Sequence, residues 1–199
     1  VYNQRAQTWR HRAFYMLEKL PSVRDPQRPS AVFAHIFAAH SPFVFGPEGE
    51  EIWVYYPMAS EMQTAGRQFI EEEYARVYTG QVTYVNRKLK ETIQGIIDNS
   101  QRPCVIILQG DHGPRAPIDP NLEIDEDFCR ERFPIFNAYY FSDEKAREAL
   151  YDEITPVNSF RVIFNEFAGE DMPLLKDENF FCPFARRNEF INVTEIVQE

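Results

Sequence analysis

The apolar run Val105–Leu108 restricts the fold of this chain more than any other feature. It consists of branched aliphatic residues, and such a continuous run is typical of a strand buried on both faces of a parallel sheet. The sequence Gly-Asp-His-Gly follows at 110–113. In open α/β sheets, binding sites lie just beyond the carboxyl ends of such strands. The pattern therefore predicts a strand that delivers the side chains of Asp111 and His112 to a site.

Asp111 and His112 carry a carboxylate and an imidazole, both of which are good ligands for a divalent cation. We expect Gly113 to let the backbone turn sharply beside them. Two ligands are too few to hold a catalytic metal. The other interpretation is a loop aspartate that caps a backbone group beside an incidental histidine.

A strand and a long helix are predicted before this run. Residues 31–39 are apolar and of strand length, and they end at His40. The helix is indicated by apolar residues three and four positions apart, namely Tyr78, Val82, Val85, Leu89, Ile93 and Ile96. Strand, helix and strand in this order favour a parallel crossover. We therefore expect one α/β domain over residues 1–199, with a mostly parallel sheet flanked by helices.

Weaker patterns predict the remaining elements. They are a helix at 4–19 ended by Pro21, a loop at 41–58, strands at 136–141 and 190–197, a short helix at 143–151, and a helix that Thr155 and Pro156 open and Gly169 ends. In that last helix, Val157, Phe160, Phe164 and Phe167 are expected to face a core.

Charge and composition exclude several classes of function. The formal net charge is −10 and basic residues are scattered, which disfavours nucleic acid and anionic membrane surfaces as partners. No stretch approaches the roughly 20 apolar residues of a membrane span. The three cysteines leave a Cys129–Cys182 disulfide open.

His40 is a further candidate because it follows a predicted strand and could face the same crevice. Its imidazole could donate a hydrogen bond to a phosphoryl or sulfuryl oxygen. A histidine satisfied by the local backbone is the alternative.

Several motifs together resemble a known family. They are Phe33–Phe45, Tyr84–Asn86, Ile106–Gly113, Asn137–Tyr139 and Ile154–Arg161. These segments resemble the C-terminal half of a sulfatase-type domain of the alkaline phosphatase superfamily, and in particular bacterial membrane proteins similar to lipoteichoic acid synthases.

The resemblance implies a partial alkaline-phosphatase-like layered fold and a metal-dependent phosphate- or sulfate-ester hydrolase or transferase. Asp111 and His112 would ligate Mn²⁺ or Zn²⁺, His40 would lie near the transferred group, and Arg115 and Asn158 are weaker candidates for substrate contacts. The family's nucleophile and its other acidic ligand lie upstream of these motifs. The chain is thus expected to lack the nucleophile, to leave the metal incompletely ligated and to be inactive by itself.

The resemblance also implies a lipid- or glycan-linked ester as substrate and an extracytoplasmic position, anchored by membrane helices outside this chain. Two alternatives stay open. One is a non-catalytic binding or interaction module that keeps the sulfatase-like fold. The other is an unrelated α/β enzyme whose acid and base are carboxylates.

Overall fold

The computed structural model describes residues 2–25, 27–54, 71–113, 126–183, 186 and 188–198. The fold is mixed α/β, as expected, and the chain divides into two compact units, Val1–Arg102 and Pro103–Glu199. The single domain over residues 1–199 remains a prediction. The first unit contains α1 (Tyr2–Lys19), a 3₁₀ turn (Leu20–Ser22), β1 (Phe43–Phe45), β2 (Glu51–Val54) and α2 (Glu71–Asn99). The second contains β3 (Val105–Gln109), α3 (Glu126–Arg132), β4 (Asn137–Phe141), α4 (Glu144–Arg147), α5 (Pro156–Ala168), β5 (Phe180–Phe181), β6 (Ile191–Asn192) and α6 (Thr194–Gln198).

The core of the first unit forms where α1 and α2 meet β1. All three residues of β1 are buried. The ring of Phe45 is fully buried, stacks on Tyr84 of α2 at a centroid distance of 5.0 Å, and meets the edge of Phe14 of α1, also at 5.0 Å. The two predicted helices are therefore confirmed, and aromatic contacts join them through the strand between them.

Two long polar side chains hold the backbone of β1 in place. Gln81 is fully buried in α2, and its Oε1 accepts hydrogen bonds from the backbone of Val44 at 2.8 Å and Phe45 at 3.3 Å. Arg10 of α1 donates to the carbonyl of Val44 at 2.7 Å and to that of Gly49 at 2.6 Å. These bonds satisfy main-chain groups that a strand this short leaves without ladder partners.

The strand predicted at 31–39 is not formed. Residues 31–37 have no regular secondary structure, and Phe33 is 93% exposed. Strands need neighbours to be stable, and the backbone of residues 31–36 makes no hydrogen bond to another described residue. The β1–β2 hairpin instead falls inside the predicted loop at 41–58, where Gly49 adopts a φ of 87° in the connecting turn.

The strand predicted at 105 is confirmed, but its expected parallel sheet is absent from the part of the chain that the structure describes. β3 pairs with β4 in an antiparallel register from Val105 opposite Phe141 to Gln109 opposite Asn137. The other two described strand pairs are antiparallel as well. Residues Val105–Leu108 are half-buried. A short apolar run indicates a strand, whereas the direction of its partner depends on how the chain returns.

Helix α5 has the predicted boundaries, with Thr155 before it and Gly169, at a φ of 70°, after it. The prediction of which face of this helix is buried is wrong. Asn158, Ser159 and Val162 are buried, whereas the apolar residues expected inside, Val157, Phe160, Phe164 and Phe167, are 39 to 57% exposed. The helix turns its small and amide side chains inward because they fit closely and find hydrogen-bond partners there.

The strand predicted at 190–197 is replaced by the two-residue β6 and the helix α6. Asn192 Oδ1 accepts a hydrogen bond from the backbone of Thr194 at 3.0 Å, which turns the chain into the helix. No disulfide joins the cysteines at 104, 129 and 182. None of the helices in the described ranges is both long and apolar enough to cross a bilayer.

Replacing Gln81 by methionine tests the buried amide. Gln81→Met keeps the side-chain length but leaves the amides of Val44 and Phe45 unpaired, so we expect a loss of about 2–3 kcal/mol in unfolding free energy. Urea denaturation measures it. Gln94→Met is the matched control, because Gln94 lies on the exposed side of the same helix; equal losses in both variants would contradict the role of Gln81.

Candidate functional site

The turn that carries Asp111 and His112 is fixed at both ends by backbone hydrogen bonds. Gly110 donates to the carbonyl of Phe136 at 2.7 Å, one step beyond the β3–β4 ladder. Gly113 donates to the carbonyl of Arg132, also at 2.7 Å. Because Arg132 ends α3, the Asp-His dipeptide is held between a sheet and the last turn of a helix.

Gly113 is required for a reason other than the one expected from the sequence. Its φ is not positive; of the glycines in the described ranges, only Gly49 and Gly169 have a positive φ. A Cβ atom at Gly113 would instead lie 1.9 Å from the carbonyl oxygen of Glu131. Glycine therefore permits the close approach of the turn to α3, which no residue with a side chain could make.

The side chains of Asp111 and His112 point into one region of the surface. His112 Nε2 lies 3.5 Å from Asp111 Oδ2, and the two side chains are 37% and 86% exposed, respectively. Two ligands that each lie about 2.1 Å from a tetrahedral metal are separated by about 3.4 Å. The observed spacing is therefore compatible with one divalent cation bound to both atoms.

A third residue, Arg132, belongs to the same cluster. Its Nη1 lies 2.6 Å from Nδ1 of His112 and 3.1 Å from the carbonyl oxygen of Gly113. His112 Nδ1 also lies 2.8 Å from the same carbonyl oxygen. Sequence reasoning missed Arg132 because it lies 20 positions from His112, and only the packing of α3 against the turn brings them together.

His40 lies in the first unit, next to β1. Its Nδ1 donates a 2.5 Å hydrogen bond to the carbonyl of Ser41, and its own carbonyl accepts one from Gln81 Nε2 at 3.3 Å. Since a carbonyl only accepts, Nδ1 carries a proton, and Nε2 has one only when the ring is charged. The ring is exposed and lies near Trp9 and Phe37, at centroid distances of 6.4 and 6.3 Å.

Trp9 and Phe37 also line a cavity of ≈ 760 Å³ within the first unit. The other side chains around it are mostly apolar and include Met16, Val44 and Phe45. The cavity is therefore suited to an apolar ligand group, and two of its walls are rings that flank His40.

Asn158 is fully buried, and its amide binds other parts of the second unit. Its Nδ2 donates to Tyr151 Oη and to the carbonyl of Leu175, both at 2.8 Å, and lies 3.0 Å from Asp177 Oδ2. Its Oδ1 accepts from the backbone of Leu175 at 2.9 Å. These bonds hold the segment after α5 against the start of that helix. The other weak candidate, Arg115, lies outside the described residues.

Asp177 is the charged centre of the same cluster. It accepts hydrogen bonds from the backbone and hydroxyl of Thr155, at 2.8 and 2.6 Å, and from Tyr151 Oη at 2.5 Å. Burial alone would raise the pKa of Asp177, but the hydrogen bonds from Thr155, Tyr151 and Asn158 outweigh it and lower the pKa below 3.8. Burial and the bond to Asp177 raise the pKa of Tyr151 above 10.0.

Comparison of the chain with protein-family models, with curated proteins and with solved structures finds no match. Within the described ranges, no group of three or more His, Cys, Asp or Glu side chains is arranged to bind a metal ion. The resemblance to sulfatase-type domains therefore stays a prediction, as do the site residues that it implies.

Substituting the two glycines of the turn separately tests its packing. Gly113→Ala forces the backbone away from Glu131, so we expect a loss of about 1–3 kcal/mol in unfolding free energy from overpacking. Gly110→Ala is the matched control, because a Cβ there meets its nearest neighbour at an ordinary 3.6 Å. Thermal or urea unfolding of both variants measures the difference, and a fully stable Gly113→Ala protein would refute the close contact.

The Asp177 cluster predicts a specific pH dependence of stability. Because the folded-state pKa is lowered, the charged carboxylate adds stability above a pH of about 3.8, and this stability is lost as the pH falls through the folded-state pKa. At neutral pH, Asp177→Asn should lose about 1–3 kcal/mol. Urea titrations at decreasing pH should show the gap to the wild type closing in acid, whereas the exposed control Asp152→Asn should show no gap at any pH.

Proposed function

We propose that this chain supplies part of the catalytic centre of a metal-dependent phosphate- or sulfate-ester hydrolase or transferase of the sulfatase type. The observation that carries the proposal is the Asp111–His112 pair, a carboxylate and an imidazole whose donor atoms are 3.5 Å apart at the end of a strand. Both side chains are accessible, and backbone contacts hold the turn that bears them.

In this proposal, Asp111 Oδ2 and His112 Nε2 would supply two of the ligands of a Mn²⁺ or Zn²⁺ ion. An ion held there would supply positive charge to neutralise the transferred group and to lower the pKa of the nucleophile. His112 Nδ1 then donates to the carbonyl of Gly113, at the observed 2.8 Å, and this bond orients the ring. The resemblance assigns the nucleophile and a further acidic ligand to a preceding part of the protein.

His40 would act on the transferred group or on the oxygen that leaves. The bond from Nδ1 to the carbonyl of Ser41 fixes the orientation of the ring and leaves Nε2 as the reactive nitrogen. In the neutral ring Nε2 accepts a proton, and in the charged ring it donates one to an oxyanion. Both roles fit a histidine that exchanges a proton with an oxygen atom of the ester.

The substrate in this proposal is a lipid- or glycan-linked ester, which is the class that the resemblance implies. The proposal also includes a position outside the cytoplasm, at the cell envelope.

Metal-dependent stability tests the proposal directly. If Asp111 and His112 bind Mn²⁺ or Zn²⁺ in the folded state, a concentration 100 times the Kd should raise the unfolding free energy by about 2.7 kcal/mol. We expect Asp111→Ala and His112→Ala to abolish this gain and the exposed control Asp152→Ala to keep it. Thermal unfolding with and without each metal measures the effect, and a gain that survives Asp111→Ala would contradict the proposed site.

Activity assays separate the catalytic proposal from its alternatives. We expect the purified chain to leave p-nitrophenyl phosphate and p-nitrophenyl sulfate intact, because the resemblance implies a nucleophile upstream of the motifs found here. Metal-dependent hydrolysis that Asp111→Ala abolishes would show that the chain contains its own nucleophile. Hydrolysis that is insensitive to chelators would favour an enzyme with a carboxylate acid and base, and a chain that binds neither metal would favour the non-catalytic module.

A further inference from the structure

His112 Nδ1 lies beside one hydrogen-bond acceptor and one hydrogen-bond donor, which require opposite protonation states of this atom. The carbonyl oxygen of Gly113, at 2.8 Å, requires a proton on Nδ1. Arg132 Nη1, at 2.6 Å, is a donor and requires a bare Nδ1. A neutral imidazole carries one proton, so only one of these hydrogen bonds can exist at a time.

The hydrogen-bond partner of Nδ1 determines whether Nε2 of the neutral ring carries a proton. When Arg132 donates to Nδ1, the proton of the neutral ring is on Nε2, which then faces Asp111 Oδ2 as a donor and cannot bind a metal ion. When Nε2 binds a metal ion, the proton is on Nδ1 and is donated to Gly113. Metal binding at Nε2 therefore excludes the hydrogen bond between Arg132 and His112.

We propose that Arg132 is the oxyanion-binding residue of the Asp111–His112 site, released from His112 when the metal ion binds. This inference rests on the proposed function and adds the group that would contact the phosphoryl or sulfuryl oxygens of the substrate. A guanidinium group offers paired donors that match a tetrahedral oxyanion. A cation placed beside a metal site also stabilises an anion bound to that metal.

Backbone contacts keep Arg132 within reach after its release. Its carbonyl accepts the hydrogen bond from Gly113, and its Nη1 lies 3.1 Å from the Gly113 carbonyl oxygen. The guanidinium group can therefore leave Nδ1 without leaving the turn. Arg130 lies in the same helix, but its Nη1 makes an ion pair with Glu126, four residues earlier, at 3.1 Å. Arg130 is therefore a suitable control for substitutions of Arg132.

Nuclear magnetic resonance tests the contact without any metal. In ¹⁵N-labelled metal-free protein, in mildly alkaline buffer, long-range ¹H–¹⁵N spectra report which ring nitrogen of His112 is protonated. We expect the Nε2–H tautomer in the wild type and a shift towards Nδ1–H in Arg132→Met, where only the Gly113 carbonyl remains. A predominant Nδ1–H tautomer in the wild type would overturn the proposed competition, whether or not the protein binds a metal.

The oxyanion role is tested by linkage with Mn²⁺, whose binding is measured by electron paramagnetic resonance. We expect methyl phosphate or methyl sulfate to tighten Mn²⁺ binding to the wild type about tenfold. Arg132→Met should abolish the tightening while binding Mn²⁺ alone at least as well as the wild type. Arg132→Lys should keep part of it, and the matched control Arg130→Met should keep all of it. The more effective of the two esters identifies the preferred oxyanion.

The outcomes separate this inference from the proposed function. Undiminished tightening in Arg132→Met would overturn the role of Arg132 and leave the metal site standing. An absence of Mn²⁺ binding that depends on Asp111 would overturn both. Circular dichroism of each variant confirms that it is folded, and Arg132→Lys provides the readout should Arg132→Met fail to fold.

Discussion

Short strands and irregular segments leave many backbone groups without partners in regular secondary structure, and in both units side chains supply such partners. Gln81 and Arg10 perform this task for β1 and its turn. In the second unit, Asn158 binds both backbone groups of Leu175, and Asp177 accepts from the backbone of Thr155. Since an unpaired buried amide or carbonyl costs about 1–3 kcal/mol, these side chains determine which helix faces turn inward.

In the Asp111–His112 turn, backbone hydrogen bonds fix the main chain, whereas the side chain of His112 has two alternative hydrogen-bond partners. Gly113 allows the turn to touch the end of α3, so the positions of the two candidate ligands depend on a backbone contact. The same contact brings Arg132 to the histidine ring. One nitrogen atom of His112 thus has both a donor and an acceptor beside it, and this competition links the proposed metal site to the proposed oxyanion site.

Several elements could be predicted because their signals are local. The period of apolar residues indicates α2, and Thr155, Pro156 and Gly169 mark the ends of α5 within one residue. The predictions that are wrong concern what an element packs against or pairs with. The run at 31–39 has the composition of a strand but no described neighbour to pair with, and the apolar stripe of α5 that includes Phe160 remains exposed. Periodicity identifies a stripe, whereas packing decides whether it is buried.

By itself the sequence determined which chemical groups follow β3, namely a carboxylate and an imidazole bounded by glycines, because residue order sets what stands at the end of a strand. Only the tertiary structure decided the antiparallel partner of β3, the reason for Gly113 and the presence of Arg132 at His112. It also placed Asn158 in a buried network. These features depend on contacts between residues far apart along the chain, and such contacts arise from close packing and from the need to pair buried polar groups.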